Sequence, residues 1–167
     1  GMQGMGYMHS DLGGFAGVPN STRRIIDAST GTVENIAGTP TITTTSQATA
    51  YNNMGVPGAK SFHLGFPGYG TLNPYFARHA TSPTATVIGD AMSKNPTFFT
   101  NWIGANDVLS YATNGGAQAD GTTPAADHNL TGNMNPATYG SNDITNSGVF
   151  ASVYSTLINT LTSGGAK

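Results

Sequence analysis

Apolar positions near the end of the chain recur at helical spacing. Val149, Phe150, Val153, Leu157, Ile158 and Leu161 fall on one face of a 3.6-residue repeat. Ser147 stands where a cap belongs and Gly164-Gly165 where a helix stops, so the pattern predicts a closing helix within residues 147–165. Upstream, residues 97–103 (TFFTNWI) form a β-branched and aromatic run between Pro96 and Gly104. That run predicts a strand, and its near-continuous apolar character predicts cover on both faces, as in a parallel sheet. Residues 107–112 then read as the start of a helix, with weaker helical periodicity over 74–80 and 85–94. Between 113 and 146 the chain is rich in Gly, Asn, Asp and Thr and has no period. A loop that long inside a compact domain is expected to be an insertion with functional weight.

The first third is less patterned. Residues 1–20 are too glycine-rich for a regular helix and read as an irregular arm. Asn20-Ser21 would cap a short turn running through Arg23 to Asp27. The threonine-dense stretch 39–49 is either a long linker-like loop or an extended edge. One domain accommodates 167 residues, divided as an arm over 1–47, a central part over 48–112, the insertion over 113–146 and the closing helix over 147–165. Strand, helix, long loop and helix make half of an α/β pattern.

Composition narrows the function classes. Only 8% of residues are charged, against about 25% in an ordinary soluble domain, so the surface is neutral-polar. A net charge of −2 with scattered basic residues gives no footprint for nucleic acid, and no apolar run reaches the roughly 18 residues of a membrane span. The absence of cysteine removes disulfides, thiol nucleophiles and thiolate metal sites, and suits a secreted, periplasmic or cell-surface protein. No signal peptide is visible, and Gly1-Met2 reads as a remnant of tag cleavage, so the expectation is that a natural leader has been removed.

The chemistry concentrates at Gly104-Ala105-Asn106-Asp107, directly after the predicted strand. Ligand sites of open α/β sheets lie beyond the carboxyl ends of strands. There the Asn106 amide could donate to a developing oxyanion, while Asp107 caps the following helix and holds the loop. By themselves the two residues are equally an ordinary turn and helix start.

In context, Gly104-Ala105-Asn106-Asp107 resembles block three of the SGNH (GDSL-type) esterase and lipase family, and Asn53-Met54-Gly55-Val56-Pro57-Gly58 is similar to its block two. The resemblance covers roughly residues 48–165. It implies a flavodoxin-like three-layer α/β/α fold, present as a partial domain. It also implies an oxyanion hole made by the Gly58 N–H and the Asn106 side chain, with Asp107 as loop support. The implied activity is hydrolysis of a small ester, an acylated carbohydrate or a lipid through a serine acyl-enzyme, with no cofactor.

Two parts of the family pattern are missing. No Gly-Asp-Ser motif precedes block two, and Ser10 lies in a reversed His-Ser-Asp order. No histidine closes an Asp-x-x-His: Gly6, Lys60, Phe76 and Ala125 stand three before His9, His63, His79 and His128. Triad members act as a unit, so this chain alone is expected to be inactive toward esters. The alternative reading is a non-catalytic remnant or a ligand- or carbohydrate-binding module. A partial α/β domain also leaves sheet edges uncovered, so a homo-oligomer is expected.

Among the remaining candidates, Asp120, Asp127, His128 and Asp143 are potential metal ligands, but their spacing follows no calcium or zinc template and solvated loop polars are the better reading. Phe62, Phe66, Tyr69, Tyr75 and Phe76 would line an acyl or sugar groove beside Gly58, or pack as a satellite core. His63 and His79 read as packed or surface histidines. No glycine-rich loop with a lysine marks a nucleotide site.

Overall fold

The computed structural model describes residues 23–36, 48–77 and 79–166. The N-terminal arm with Ser10, the Asn20-Ser21 cap and most of the threonine-rich stretch lie outside these residues.

The first described element is a hairpin where a short turn was expected. Strands β1 (Arg23–Ile26) and β2 (Val33–Ile36) pair antiparallel, with Arg23 opposite Ile36 and Ile26 opposite Val33. The connection closes because the Asp27 carboxylate accepts from the Ser29 N–H at 2.8 Å and Gly31 takes φ 68°. Two short β-branched runs around a loop with a glycine are a hairpin signal, and pairing satisfies main-chain groups that a lone turn leaves open.

Short helices follow. α1 (Pro74–Ala77) begins with proline at its first position, where no N–H is needed, and the Asn73 side chain accepts from the Tyr75 N–H at 2.9 Å. α2 (Val87–Met92) is capped by Thr86, which accepts from the Gly89 N–H at 2.9 Å. α3 (Asn106–Thr113), α4 (His128–Thr131) and α5 (Ser147–Thr162) complete the α-helices among the described residues. The core gathers Ala59, Tyr69, Phe76, Ala80 and Val87, with Met54, Val56, Leu64 and Ile103 packed against it. α5 closes one side, burying Val149, Leu157 and Leu161 from the predicted apolar face. Its cap is Asn146, one residue before Ser147: the Asn146 side chain accepts from the Gly148 N–H at 2.8 Å and donates to the His128 carbonyl at 2.9 Å.

Residues 97–103 form neither strand nor helix, and the expected cover on both faces is not there: Phe98 is 72% and Trp102 95% exposed. A strand requires a neighbour for its main-chain groups. Between Thr97 and Trp102 no main-chain group is hydrogen-bonded among the described residues. The hairpin is the one sheet there, and it has two strands.

The 113–146 stretch is not structureless. Ala117 bridges Pro124, Asp127 bridges Ile144, and α4 and a 3₁₀ turn over Pro136–Thr138 lie between. Aperiodic sequence conceals this because side-chain hydrogen bonds, rather than a repeating apolar face, hold the segment.

Candidate functional site

The two segments singled out in the sequence meet. Val56-Pro57-Gly58-Ala59 makes a tight turn in which the Ala59 N–H reaches the Val56 carbonyl at 3.2 Å and Gly58 takes φ 74°. Proline second and glycine third suit a type II turn, whose third position needs the left-handed region. The second segment turns at Gly104, with φ 126°. A Cβ there would sit 3.2 Å from the Phe150 ring, so glycine both permits the turn and lets α5 approach.

Asn106 opens α3 and its Nδ2 donates to the Ala59 carbonyl at 2.9 Å, spanning 47 positions. Asp107 departs from expectation. It does not cap α3, whose N-cap is Ala105 with no side-chain bond. Instead its buried carboxylate accepts from the Ser61 N–H at 2.9 Å and the Ser61 hydroxyl at 2.8 Å. The predicted loop support is therefore a clamp between segments. Charge-assisted bonds of this kind are the stronger class. Gly58 is an exposed residue, and its N–H has no protein partner among the described residues.

Asn106 borders a groove of about 780 Å³ whose apolar wall includes Met54, Val56, Leu64, Val87, Phe99 and Ile103. None of the five predicted aromatics lines it. Tyr69 and Phe76 are core residues, Tyr75 is half-buried, and Phe62 and Phe66 border a separate 300 Å³ groove against Val153 and Leu157.

Lys60 is 3% exposed, and its Nζ donates to the Asp143 carbonyl at 2.6 Å. Burial lowers its pKa, while Asp107 and Asp143 act in the opposite direction. Asp143 organises the former loop: its carboxylate accepts from His128 Nε2 at 2.9 Å, Gln118 Nε2 at 2.6 Å, the Ala126 N–H at 2.8 Å and the Gly140 N–H at 2.6 Å. Burial works to raise its pKa, and these donors together outweigh it, holding the carboxyl below its ordinary range. Neither Lys60 nor Ser61 carried a signal in the sequence, because partners 83 and 46 positions away leave no local pattern.

The candidate metal ligands are dispersed and committed. Asp120 accepts from the Thr122 and Thr123 N–H groups, Asp127 caps α4, and His128 and Asp143 bond each other. Among the described residues no group of three His, Asp or Glu is placed to hold an ion. The His128–Asp143 pair superficially resembles a catalytic dyad. However, His128 Nδ1 meets the Thr131 hydroxyl at 3.0 Å, and the ring stacks on Tyr139 with centroids 3.8 Å apart. Both nitrogens are occupied, so the pair is structural.

His79 is buried edge-on to Phe76. His63 Nδ1 accepts from the Lys60 N–H at 3.1 Å, and the ring stacks on Tyr69 at 4.5 Å. Burial, with Lys60 nearby, lowers the His63 pKa to about 4. Between roughly pH 6.5 and 4 the unfolded chain therefore binds a proton that the folded chain refuses, and stability falls as the pH drops through that window. Discounted for partial solvent screening, the loss is about 2 kcal/mol. Thermal melts at pH 7 and pH 4.5 should show it, and His63→Gln should flatten the dependence. An unchanged slope would place the acid sensitivity elsewhere.

No helix among the described residues is long and apolar enough to cross a membrane. In comparisons with known proteins, no family model, no curated protein and no solved structure matches the chain.

Proposed function

We propose that this chain supplies the oxyanion-binding part of a serine ester hydrolase of the SGNH (GDSL-type) kind. One observation carries the reading: the Asn106 amide donates to the Ala59 carbonyl, so the loop after Gly104 meets the Val56–Ala59 turn, and Val56, Ala59 and Asn106 all line the groove. An amide nitrogen has two hydrogens, and the Ala59 bond uses one. The second, with the Gly58 N–H, would stabilise the oxyanion that forms when a serine attacks an ester carbonyl. The apolar groove wall would take the acyl portion of a lipid, an acylated sugar or another small ester. The serine and its histidine base come from segments that the two blocks do not include. The proposed frame is the partial three-layer α/β/α domain, and the proposed location is secreted, periplasmic or cell-surface.

A ligand- or carbohydrate-binding module is the second reading. It is favoured by the fact that Asn106 already spends a donor on Ala59, a structural use that survives without catalysis.

Kinetics separate the two. The 167-residue chain alone should not hydrolyse p-nitrophenyl acetate above the buffer rate. When it is joined to segments that carry a Gly-Asp-Ser and an Asp-x-x-His, Asn106→Ala should lower kcat roughly 10²- to 10³-fold and leave KM nearly unchanged. The same substitution should cost about 1 kcal/mol of stability through the lost Ala59 bond, so rates must be expressed per folded molecule. An undiminished kcat would sink the catalytic assignment of Asn106.

A further inference from the structure

We propose that residues 97–103 are the self-association surface of this protein, pairing antiparallel with the same residues of a second copy. The same run forms one wall of the groove beside Asn106, so a paired copy would border that groove, but the inference rests on the run itself and not on the ester chemistry. From Phe98 to Ile103 burial alternates: Phe99, Asn101 and Ile103 are half-buried, whereas Phe98, Thr100 and Trp102 are exposed. That is the two-residue period of a strand with one face against its own protein. No main-chain group from Thr97 to Trp102 is hydrogen-bonded among the described residues, and the buried Asn101 Nδ2 has no partner there. Open main-chain groups on a β-prone run select an extended backbone as the occupant rather than a helix or a small ligand.

The sequence of the run favours a second copy over a foreign strand. Antiparallel pairing about a twofold axis through Thr100 sets Phe98 of one copy opposite Trp102 of its partner, and the reverse, with Thr100 facing Thr100. Both large exposed rings are thereby covered by cross-strand aromatic pairs. Residues 97–103 carry no charge, so the pairing brings no like charges together. The area is of the right order. Trp102 is 95% and Phe98 72% exposed, and aromatics of this size bury ~150–250 Å² each. Two such rings per copy, with Thr97, Thr100 and the paired backbones, approach the roughly 1,000 Å² of a specific interface.

The test places charge on the twofold axis. Sedimentation velocity of the full chain should show a dimer. The emission of Trp102, the single tryptophan, should shift to the blue as concentration rises. Thr100 is exposed, so Thr100→Lys and Thr100→Glu leave the fold of each copy intact. Each variant alone should dissociate with a Kd about tenfold or more above that of the parent, because like charges then face each other. Mixing the two variants should restore the dimer. A parent chain that stays monomeric with unchanged emission would overturn the proposal. So would variants that each dimerise as the parent does, or a mixture that fails to associate. A monomer whose Trp102 is shielded only by an added peptide of different sequence would also overturn it, assigning the face to a foreign strand.

Discussion

Asp143→Ala is expected to destabilise the folded chain by about 4 kcal/mol, enough to lower Tm by roughly 10 °C in a domain of this size. The estimate follows from what is left behind. His128 Nε2, Gln118 Nε2 and the N–H groups of Ala126 and Gly140 all lose their acceptor in one step. An abandoned buried donor costs ~1–3 kcal/mol, and only His128 is buried; the other three donors are half-buried and cost less because water can reach them. The bond from Lys60 Nζ ends on the Asp143 carbonyl and survives the substitution, so the damage should be confined to residues 113–146. Proteolysis should then cut first in that segment. A loss below 1 kcal/mol would mean that the four donors find water at no cost.

Asp107→Ala should cost about 3–4 kcal/mol by a different route. Its carboxylate is the only described acceptor for the Ser61 N–H and hydroxyl, and Ser61 is fully buried. Losing it unfastens the segment after Gly58 from the start of α3. Had Asp107 capped its own helix, the cost would be nearer 1 kcal/mol. A chemical denaturation series on Asp107→Ala, with Asp107→Asn retaining one oxygen acceptor, distinguishes these values. The Asn variant should recover part of the loss, and a value near 1 kcal/mol for Ala would contradict the clamp.

How far the sequence revealed this depends on the range of the interaction. α5 and α3 were legible because an apolar stripe and a glycine-led start are local signals. The Gly58 turn has a local signature, because proline fixes φ at one position and glycine accepts the positive φ that the next one needs. Residues 97–103 have the composition of a buried strand, yet a strand is a property of a pair, and composition does not supply the neighbour. The order within 113–146 was hidden for the opposite reason. Asp143, Gln118 and His128 hold it through polar bonds 15 to 25 residues long, and these impose no period. At the candidate site, Asn106, Asp107 and Gly58 were identifiable as points of interest. The clamp to Ser61 and the bond to Ala59 appeared only once the chain was folded.

The central claim is that Gly58 and Asn106 present hydrogen-bond donors to one tetrahedral anion. It is tested most directly by titrating the isotopically labelled chain with methyl butylphosphonate, a stable mimic of the ester-hydrolysis intermediate, and following the Gly58 N–H and the Asn106 side-chain amide by NMR. The account predicts that both signals move together with one Kd, and that Asn106→Ala weakens binding about tenfold, as expected for one hydrogen bond to a charged group. Movement of Met54 and Phe99 alone, with Gly58 and Asn106 still, would contradict it and leave a groove that binds apolar ligands without an oxyanion hole.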